Sequence, residues 1–180
     1  PADHYVSDDD LFMAHADAAF GIVEQDAAKI VLLGVGPHNA ESDYGYIVPT
    51  HESPSAFPWG ARIVSQFIEK PSPSRAQEIV SRGGLWNTLV MVFRAGNFLN
   101  YVSAINGQLY SYFRRIRDAL GRPSPVRAME GIYDLARPVN LSKGFLEDLP
   151  TRFPSQLLVL PVRGVDWCDC GSEARITKLW

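Results

Sequence analysis

Three strongly apolar runs constrain the fold of this chain more than any other feature of its sequence. They lie at Lys29–Val35, Leu85–Phe93 and Leu157–Val162. A strand covered on one face alternates apolar and polar residues, whereas a strand buried on both faces is apolar along its length. We therefore predict a strand in each run, and we expect the strand at Lys29–Val35 to be covered on both faces.

Shorter patterns between these runs predict further strands and several helices. Turn residues flank two more candidate strands, at Tyr44–Pro49 and Ile63–Glu69. Helical patterns follow Ser7, which is a good N-cap, and occupy Ser72–Arg82, Asn97–Ile105, Gln108–Leu120 and Pro125–Ala136. Strands that alternate with helices indicate an α/β fold. The helix-rich stretch at about 97–149 is typical of an insertion or a lid.

Composition excludes several classes of protein. A chain of 180 residues with 46% hydrophobic residues is large enough for one domain with a core. Its net charge of −3 argues against a nucleic-acid partner, which requires a basic surface. No apolar run reaches the roughly 18 residues that a membrane span requires. The two cysteines provide no disulfide framework, so we expect a reducing compartment and a cytoplasmic location.

The segment Val165–Ser172 follows the last predicted strand, where α/β proteins tend to bind ligands. Asp166 and Asp169 offer the carboxylate oxygens that a hard cation prefers. Cys168 and Cys170 supply two thiols, which is half of a zinc site. An ordinary turn explains the same Asp and Gly residues without any ligand. The residues alone leave these alternatives open.

Polar residues also stand at the ends of other predicted strands. Strand alternation predicts that Glu69 and Lys70 point to opposite faces of the sheet. A lysine there offers a point charge for a phosphate, and a glutamate can accept two sugar hydroxyls; two solvated charges are the alternative. Gly45 indicates either a close ligand or a bulge. Asn87 and Thr88 bring an amide and a hydroxyl into an apolar strand, where a ligand, water or protein must satisfy them.

Five segments of the chain together resemble the motifs of sugar-1-phosphate nucleotidyltransferases. They are Pro1–His4, Tyr44–Ile47, Phe67–Pro71, Leu85–Thr88 and Trp167–Ser172. The branch that the chain resembles is mannose-1-phosphate guanylyltransferase, which favours a Trp-Asn-Ser/Thr motif and a Pro-x-Asp-His segment. Each motif is short, but together they follow the family's order and spacing nearly from end to end.

The resemblance implies a fold and a domain organisation. The expected fold is the Rossmann-like α/β sandwich of nucleotide-diphospho-sugar transferases, with a mixed sheet. The Gly-rich loop that begins the family's catalytic domain has no match here. Residues 1–180 are therefore expected to be the C-terminal portion of a single catalytic domain whose N-terminal part is missing. We expect the chain alone to be inactive.

The resemblance also implies a reaction and its residues. The expected substrates are a nucleoside triphosphate, in this branch GTP, and a sugar 1-phosphate, in this branch mannose 1-phosphate. The resemblance is also compatible with an oligomeric protein. Pyrophosphate would leave as the nucleotide sugar forms. Two carboxylates would hold Mg²⁺, a lysine would hold the sugar phosphate, and the other residues would contact the sugar. The carried-over residues are Asp3 and Asp169 for the metal, Lys70 for the phosphate, and Tyr44, Gly45, Glu69, Asn87 and Thr88 for the sugar.

Departures from the family pattern keep the choice of sugar and two other functions open. Leu89 stands where the guanylyltransferase branch usually has Gly, and the predicted helix around Glu147–Arg152 lacks that branch's Ser-x-Asp motif. One alternative is a non-catalytic regulatory homologue that binds a sugar phosphate or a nucleotide sugar. The other is a metal-dependent glycosyltransferase of related fold that uses Asp8 and Asp10. Those acids equally fit the positive first turn of a helix, which is the interpretation we favour.

Overall fold

A sheet of five strands lies at the centre of the computed structural model, which describes residues 4–50, 57–120 and 125–177. The strands in these ranges are β1 Tyr5–Val6, β2 Ile30–Val35, β3 Gly45–Pro49, β4 Arg62–Glu69, β5 Leu85–Phe93, β6 Leu157–Val162 and β7 Trp167–Cys168. The central sheet has the order β2-β5-β3-β4-β6, and β6 also pairs with β2, so the sheet closes on itself. Strands β1 and β7 form a separate antiparallel pair. The five strands of the central sheet are those that the sequence predicts.

Helices surround this sheet. They are α1 Asp9–Gln25, α2 Pro73–Ser81, α3 Ala95–Ile105, α4 Gly107–Ala119, α5 Pro125–Tyr133, α6 Leu149–Arg152 and α7 Glu173–Ile176. A 3₁₀ turn at Pro58–Gly60 and a π-helical turn at Ser142–Leu146 complete the elements of the described ranges. None of the helices within these ranges has the length and apolar character of a membrane-spanning segment. The α/β class is confirmed. The sequence predicts a helix around Glu147–Arg152, where α6 lies, but not the short elements β1, β7 and α7 or the π-helical turn.

Strands β2 and β6 run parallel, from the pair Ile30–Leu157 to the pair Val35–Val162. The other pairings of the central sheet are antiparallel, so the sheet is mixed, as the resemblance implies. All residues of β2 and β6 are buried. A parallel pair requires a crossover connection, and here the crossover contains β3 to β5 and helices α2 to α6.

Two separate apolar clusters explain why β2 has no polar face. Val31 and Leu33 belong to a cluster that includes Ala19 and Ile22 of α1. Ile30, Leu32 and their neighbours in β6 belong to a second cluster on the opposite side, formed with residues of α3, the π-helical turn and α6. Burial of one aliphatic side chain contributes about 1.5–3 kcal/mol. The prediction that Lys29–Val35 is covered on both faces is therefore confirmed.

The start of α1 differs from the prediction by one residue. Asp8, rather than Ser7, is the N-cap, and its Oδ1 accepts the Leu11 backbone N–H at 2.9 Å. Ser7 instead binds the chain before β7: its Oγ accepts the backbone N–H of Asp166 at 2.8 Å, and its own N–H donates to the Asp166 carbonyl. Asp9 and the residue after it occupy the first turn of the helix. The capping interpretation is confirmed: these acids lie at the helix cap and in the first turn, whereas the glycosyltransferase alternative requires Asp8 and Asp10 away from the cap.

An irregular pairing between β2 and β5 creates a bulge in β5, close to the candidate site residue Asn87. The register of β2 and β5 shifts between Leu32 and Gly34. Thr88 is completely buried there: its hydroxyl donates to the Leu33 carbonyl at 2.7 Å and accepts the Val90 backbone N–H at 3.2 Å. Each buried backbone group must find a partner, and this hydroxyl supplies partners for two of them.

Thr88→Val tests this role of the hydroxyl. The change preserves the shape of the side chain but removes both hydrogen bonds, so it should lower the free energy of unfolding by about 1–3 kcal/mol. Urea denaturation measures the change. The same substitution at the partly exposed Thr50 is the control and should cost less than about 0.5 kcal/mol. Equal losses in the two variants would contradict the assignment.

Candidate functional site

A pocket of about 520 Å³ lies where β3 begins and β4 ends. The antiparallel pairing of these strands sets Gly45 opposite Glu69, and β5 contributes the third side. Six of the eight candidate site residues from the sequence line this pocket: Tyr44, Gly45, Glu69, Lys70, Asn87 and Asp169. Segments that are far apart in the chain therefore meet in one place.

The remaining two candidates have different outcomes. Asp3 lies outside the described residues, so its predicted role as a metal ligand stays a prediction. Its neighbour His4 lines the pocket, and the His4 Nδ1 accepts the indole N–H of Trp167 at 3.2 Å. Thr88 is fully buried, and its hydroxyl is hydrogen-bonded to backbone groups. It is therefore not exposed for the direct sugar contact that the resemblance implies.

Glu69 and Lys70 both line the same pocket, although strand alternation predicts opposite faces for them. Strand alternation applies only within a strand, and β4 ends at Glu69. Lys70 has a φ of 51°, in the left-handed region, which turns the chain at this point. Its backbone N–H donates to the Tyr44 carbonyl at 3.1 Å, so the turn is fixed against the start of β3.

Gly45 makes room for the carboxylate of Glu69. A Cβ atom at Gly45 would lie 2.7 Å from Glu69 Oε2 and 3.1 Å from the ring of Phe67. The bulge of this strand lies between Val48 and Pro49, so a bulge does not account for the glycine. Gly45 therefore permits the carboxylate of its cross-strand partner to lie against the backbone at the edge of the pocket.

Glu147 fixes the opposite side of the same strand end. Its Oε1 accepts the backbone N–H of Glu69 at 2.9 Å, which connects the segment after the π-helical turn to β4. Ser142 of that turn and Leu141, which immediately precedes it, line the pocket. These residues could not be predicted as part of the site, because no local pattern indicates that a segment so distant in sequence closes the site.

Asn87 and Leu89 form the β5 side of the pocket. Asn87 Oδ1 accepts the Leu89 backbone N–H at 3.1 Å, which orients the amide so that its NH₂ group can donate to a ligand. Leu89 has a φ of 60°, and 46% of its surface is exposed. Glycine adopts this conformation without strain. The departure from the family's usual Gly at Leu89 therefore adds a side chain at the pocket while the backbone keeps a glycine-like conformation.

Asp169 is part of a compact network with Arg175 and Tyr44. Both Asp169 oxygens accept hydrogen bonds from Arg175 Nη1, at 2.9 and 2.8 Å. The Tyr44 hydroxyl donates to Asp169 Oδ1 at 3.2 Å, and the Arg175 guanidinium lies 4.4 Å from the centre of the Tyr44 ring. Burial and the adjacent Asp169 carboxylate raise the pKa of Tyr44 well above its usual value, so the phenol stays protonated and remains a donor.

Asp166 lies outside this network, although it is only three residues away. It is exposed and lines a neighbouring pocket of about 340 Å³, which Tyr44 and Trp167 separate from the first. The two acids of the segment Val165–Ser172 therefore face different environments. The cysteines between and after them are free, and the described ranges contain no group of three His, Cys, Asp or Glu that could hold a metal ion.

The fold and the site together define a class of protein. A mixed α/β sheet presents a polar pocket with carboxylates, an amide and one lysine, which suits a small phosphorylated and hydroxylated ligand. The sequence profile of the Nucleotidyl transferase family matches residues 1–174. The chain belongs to this family.

Curated relatives match part of the chain. The alginate biosynthesis protein AlgA of Pseudomonas syringae is 36% identical over 111 residues, which is 61% of this chain and 22% of that protein. The mannose-1-phosphate guanylyltransferase of Escherichia coli is 38% identical over 99 residues, which is 54% of this chain and 20% of that protein. The chain thus aligns with about a fifth of the length of these relatives.

Solved structures share the fold over nearly the whole chain. A structure described as mannose-1-phosphate geranyltransferase from Thermus thermophilus has a TM-score of 0.77 at 24% identity. The match covers 95% of this chain and 45% of the chain in that structure. A structure described as mannose-6-phosphate isomerase from Helicobacter pylori has a TM-score of 0.72 at 19% identity and covers 93% and 61%. These likenesses establish the fold.

Leu89→Gly tests the conformation at the pocket edge. The left-handed backbone costs a leucine roughly 1–2 kcal/mol, and glycine removes that strain. This gain offsets the greater entropy of the unfolded glycine variant and the lost apolar contact, so stability should stay within about 1 kcal/mol of the wild type. Urea denaturation measures both this variant and its control.

Leu99→Gly is the matched control, because Leu99 is 43% exposed but lies inside α3. Glycine in a helix interior costs about 1 kcal/mol before any lost contact is counted. The control should therefore lose at least about 1 kcal/mol more than Leu89→Gly. Equal losses would show that Leu89 is not strained.

Proposed function

We propose that this protein transfers a nucleotidyl group from a nucleoside triphosphate to a sugar 1-phosphate, and that the substrates are GTP and mannose 1-phosphate. The observation that carries the proposal is the pocket at the start of β3. Six residues that the family resemblance assigns to the sugar phosphate and the metal line that one pocket, although they come from four separate segments.

The lining of the pocket suits the sugar phosphate. Lys70 offers a positive point charge for the phosphate. The Glu69 carboxylate can accept two sugar hydroxyls, and the oriented Asn87 amide can donate to another oxygen. Gly45 leaves room for the Glu69 carboxylate to lie against the backbone at the edge of the pocket. A pocket of about 520 Å³ is large enough for one hexose phosphate.

The charges of the pocket favour a divalent cation as a further component. Asp43, Glu69 and Asp169 line it beside a single lysine, so an anionic substrate requires additional positive charge. Asp169 supplies a carboxylate of the kind that a hard cation prefers, and in this structure Arg175 is its counter-ion. Mg²⁺ needs only one or two protein carboxylates. Asp169 and Asp3 would hold it, and it would neutralise phosphate charge during the reaction.

The proposed reaction depends on positioning. An oxygen of the sugar 1-phosphate attacks the α-phosphorus of the triphosphate in line, and pyrophosphate leaves. The residues of this pocket hold one reactant in place: Lys70 fixes its phosphate, while Glu69 and Asn87 fix its ring. Orientation of this kind contributes several kcal/mol to the lowering of a barrier between two bound reactants.

The curated relatives support the choice of substrates. The protein from Escherichia coli carries the name mannose-1-phosphate guanylyltransferase and shares 38% of aligned residues with this chain. A direct test incubates the purified complete protein with MgCl₂, GTP and mannose 1-phosphate and measures pyrophosphate release and GDP-mannose. Calorimetric titration with mannose 1-phosphate alone measures whether the protein binds the proposed sugar phosphate. Binding without turnover would favour the non-catalytic homologue, and failure to bind would contradict the proposed substrate.

Lys70→Met should weaken sugar phosphate binding. The loss of a charge-assisted contact is expected to raise the Kd for mannose 1-phosphate about 10- to 150-fold, and the KM by a similar factor. Calorimetry gives the Kd. Lys143→Met is the control, because Lys143 is exposed on the π-helical turn and does not line the pocket. An unchanged Kd for Lys70→Met would show that Lys70 is a solvated charge that does not contact the phosphate.

Gly45→Ala should disturb the sugar site without unfolding the protein. The new Cβ would displace the flexible Glu69 carboxylate, so the Kd for mannose 1-phosphate should rise at least ~10-fold while the Tm changes little. Gly36→Ala is the matched control, since a Cβ there meets no atom within 4 Å. If both alanine variants bind alike, Glu69 does not contact the sugar.

A further inference from the structure

The carboxylate of Asp169 is not free to bind a metal ion in this structure. Arg175 Nη1 approaches Oδ1 at 2.9 Å and Oδ2 at 2.8 Å. Both side chains are largely shielded from solvent, with 16% of Arg175 and 24% of Asp169 exposed. Shielding strengthens a charge-assisted contact relative to an ion pair on the open surface.

The guanidinium of Arg175 has a built position rather than a chance contact. The Tyr44 ring lies 4.4 Å from its central carbon, within the range of a cation–π interaction. Arg175 Nη2 also forms a longer contact of 3.4 Å with Asp43 Oδ2. An aromatic ring and two carboxylates therefore fix the group in place.

The two oxygens of Asp169 have different numbers of donors. Oδ1 accepts from Tyr44, from the Gly171 backbone N–H and from Arg175. Oδ2 accepts from Arg175 alone among the described hydrogen bonds. A divalent ion such as Mg²⁺ must come within 2.0–2.1 Å of a carboxylate oxygen. The guanidinium occupies Oδ2 and repels such an ion, so the metal and Arg175 compete for this oxygen.

We propose that Arg175 is an internal counter-ion that must release Asp169 before a divalent cation binds there. This inference rests on the proposed role of Asp169 as a cation ligand. Arg175 acts through Asp169 and is therefore a positioning residue. It also lines the neighbouring pocket, where Glu41 and Asp166 offer the released guanidinium other carboxylates.

Titration of the protein with MnCl₂ tests the proposal, with the free ion followed by electron paramagnetic resonance. Removal of the competing cation by Arg175→Gln should tighten Mn²⁺ binding at least about 10-fold, because charge-assisted hydrogen bonds no longer oppose it. A residue with a merely structural role would weaken binding when removed. Arg117→Gln makes the same charge change on the exposed face of α4 and should leave the affinity unchanged.

Two further variants complete the experiment. Arg175→Lys keeps the charge but loses the paired contact, so its affinity should lie between those of the wild type and Arg175→Gln; it decides the question if Arg175→Gln fails to fold. Asp169→Asn in the Arg175→Gln background should abolish the gain. Equal or weaker Mn²⁺ binding by the folded Arg175 variants, or a gain that survives Asp169→Asn, would overturn the proposal. If Arg175→Gln tightens Mn²⁺ binding but the protein shows no turnover, the result contradicts the proposed function and leaves the role of Arg175 intact.

Discussion

Strands β2 and β6 come from distant parts of the chain, yet they pair in parallel and bury every residue. Apolar clusters on both faces stabilise this pair, and the remaining strands of the sheet are added to it on either side. The pairing also determines where the chain emerges. The segment after β2 leads to Tyr44, and the segment after β6 leads to Asp169, and the side chains of these two residues meet through a hydrogen bond. The central pairing therefore positions two sides of the candidate site.

The pocket depends on local irregularities in otherwise regular strands. The chain turns at Lys70, a pocket-lining residue, through a left-handed backbone conformation, and Leu89 adopts a similar conformation within the bulge that Thr88 stabilises. Gly45 leaves space for a carboxylate where any other residue would place a Cβ. The ion pair with Arg175 likewise fixes a group at the pocket. It holds the Asp169 carboxylate in a defined position until a cation replaces the guanidinium.

Much of this could be predicted from the sequence, since apolar runs and turn residues report directly on buried strands. The runs at Leu85–Phe93 and Leu157–Val162 match β5 and β6 at both ends. The site residues followed from short motifs in family order. Arg175 and Glu147 could not be predicted, because their roles arise from contacts between segments that no local pattern connects. Thr88 was misjudged for a related reason: a buried hydroxyl can serve a ligand or the backbone, and only the pairing of β2 with β5 distinguishes the two.

The proposed function depends on one interaction, the binding of a sugar phosphate by Lys70 and Glu69 in the pocket between β3, β4 and β5. A crystal structure of the protein with mannose 1-phosphate tests it most directly. We expect the phosphate within about 3 Å of Lys70 Nζ and a sugar hydroxyl at a similar distance from the Glu69 carboxylate. A ligand bound elsewhere, such as in the apolar pocket of about 710 Å³ that Phe98 and Leu109 line, would contradict the claim.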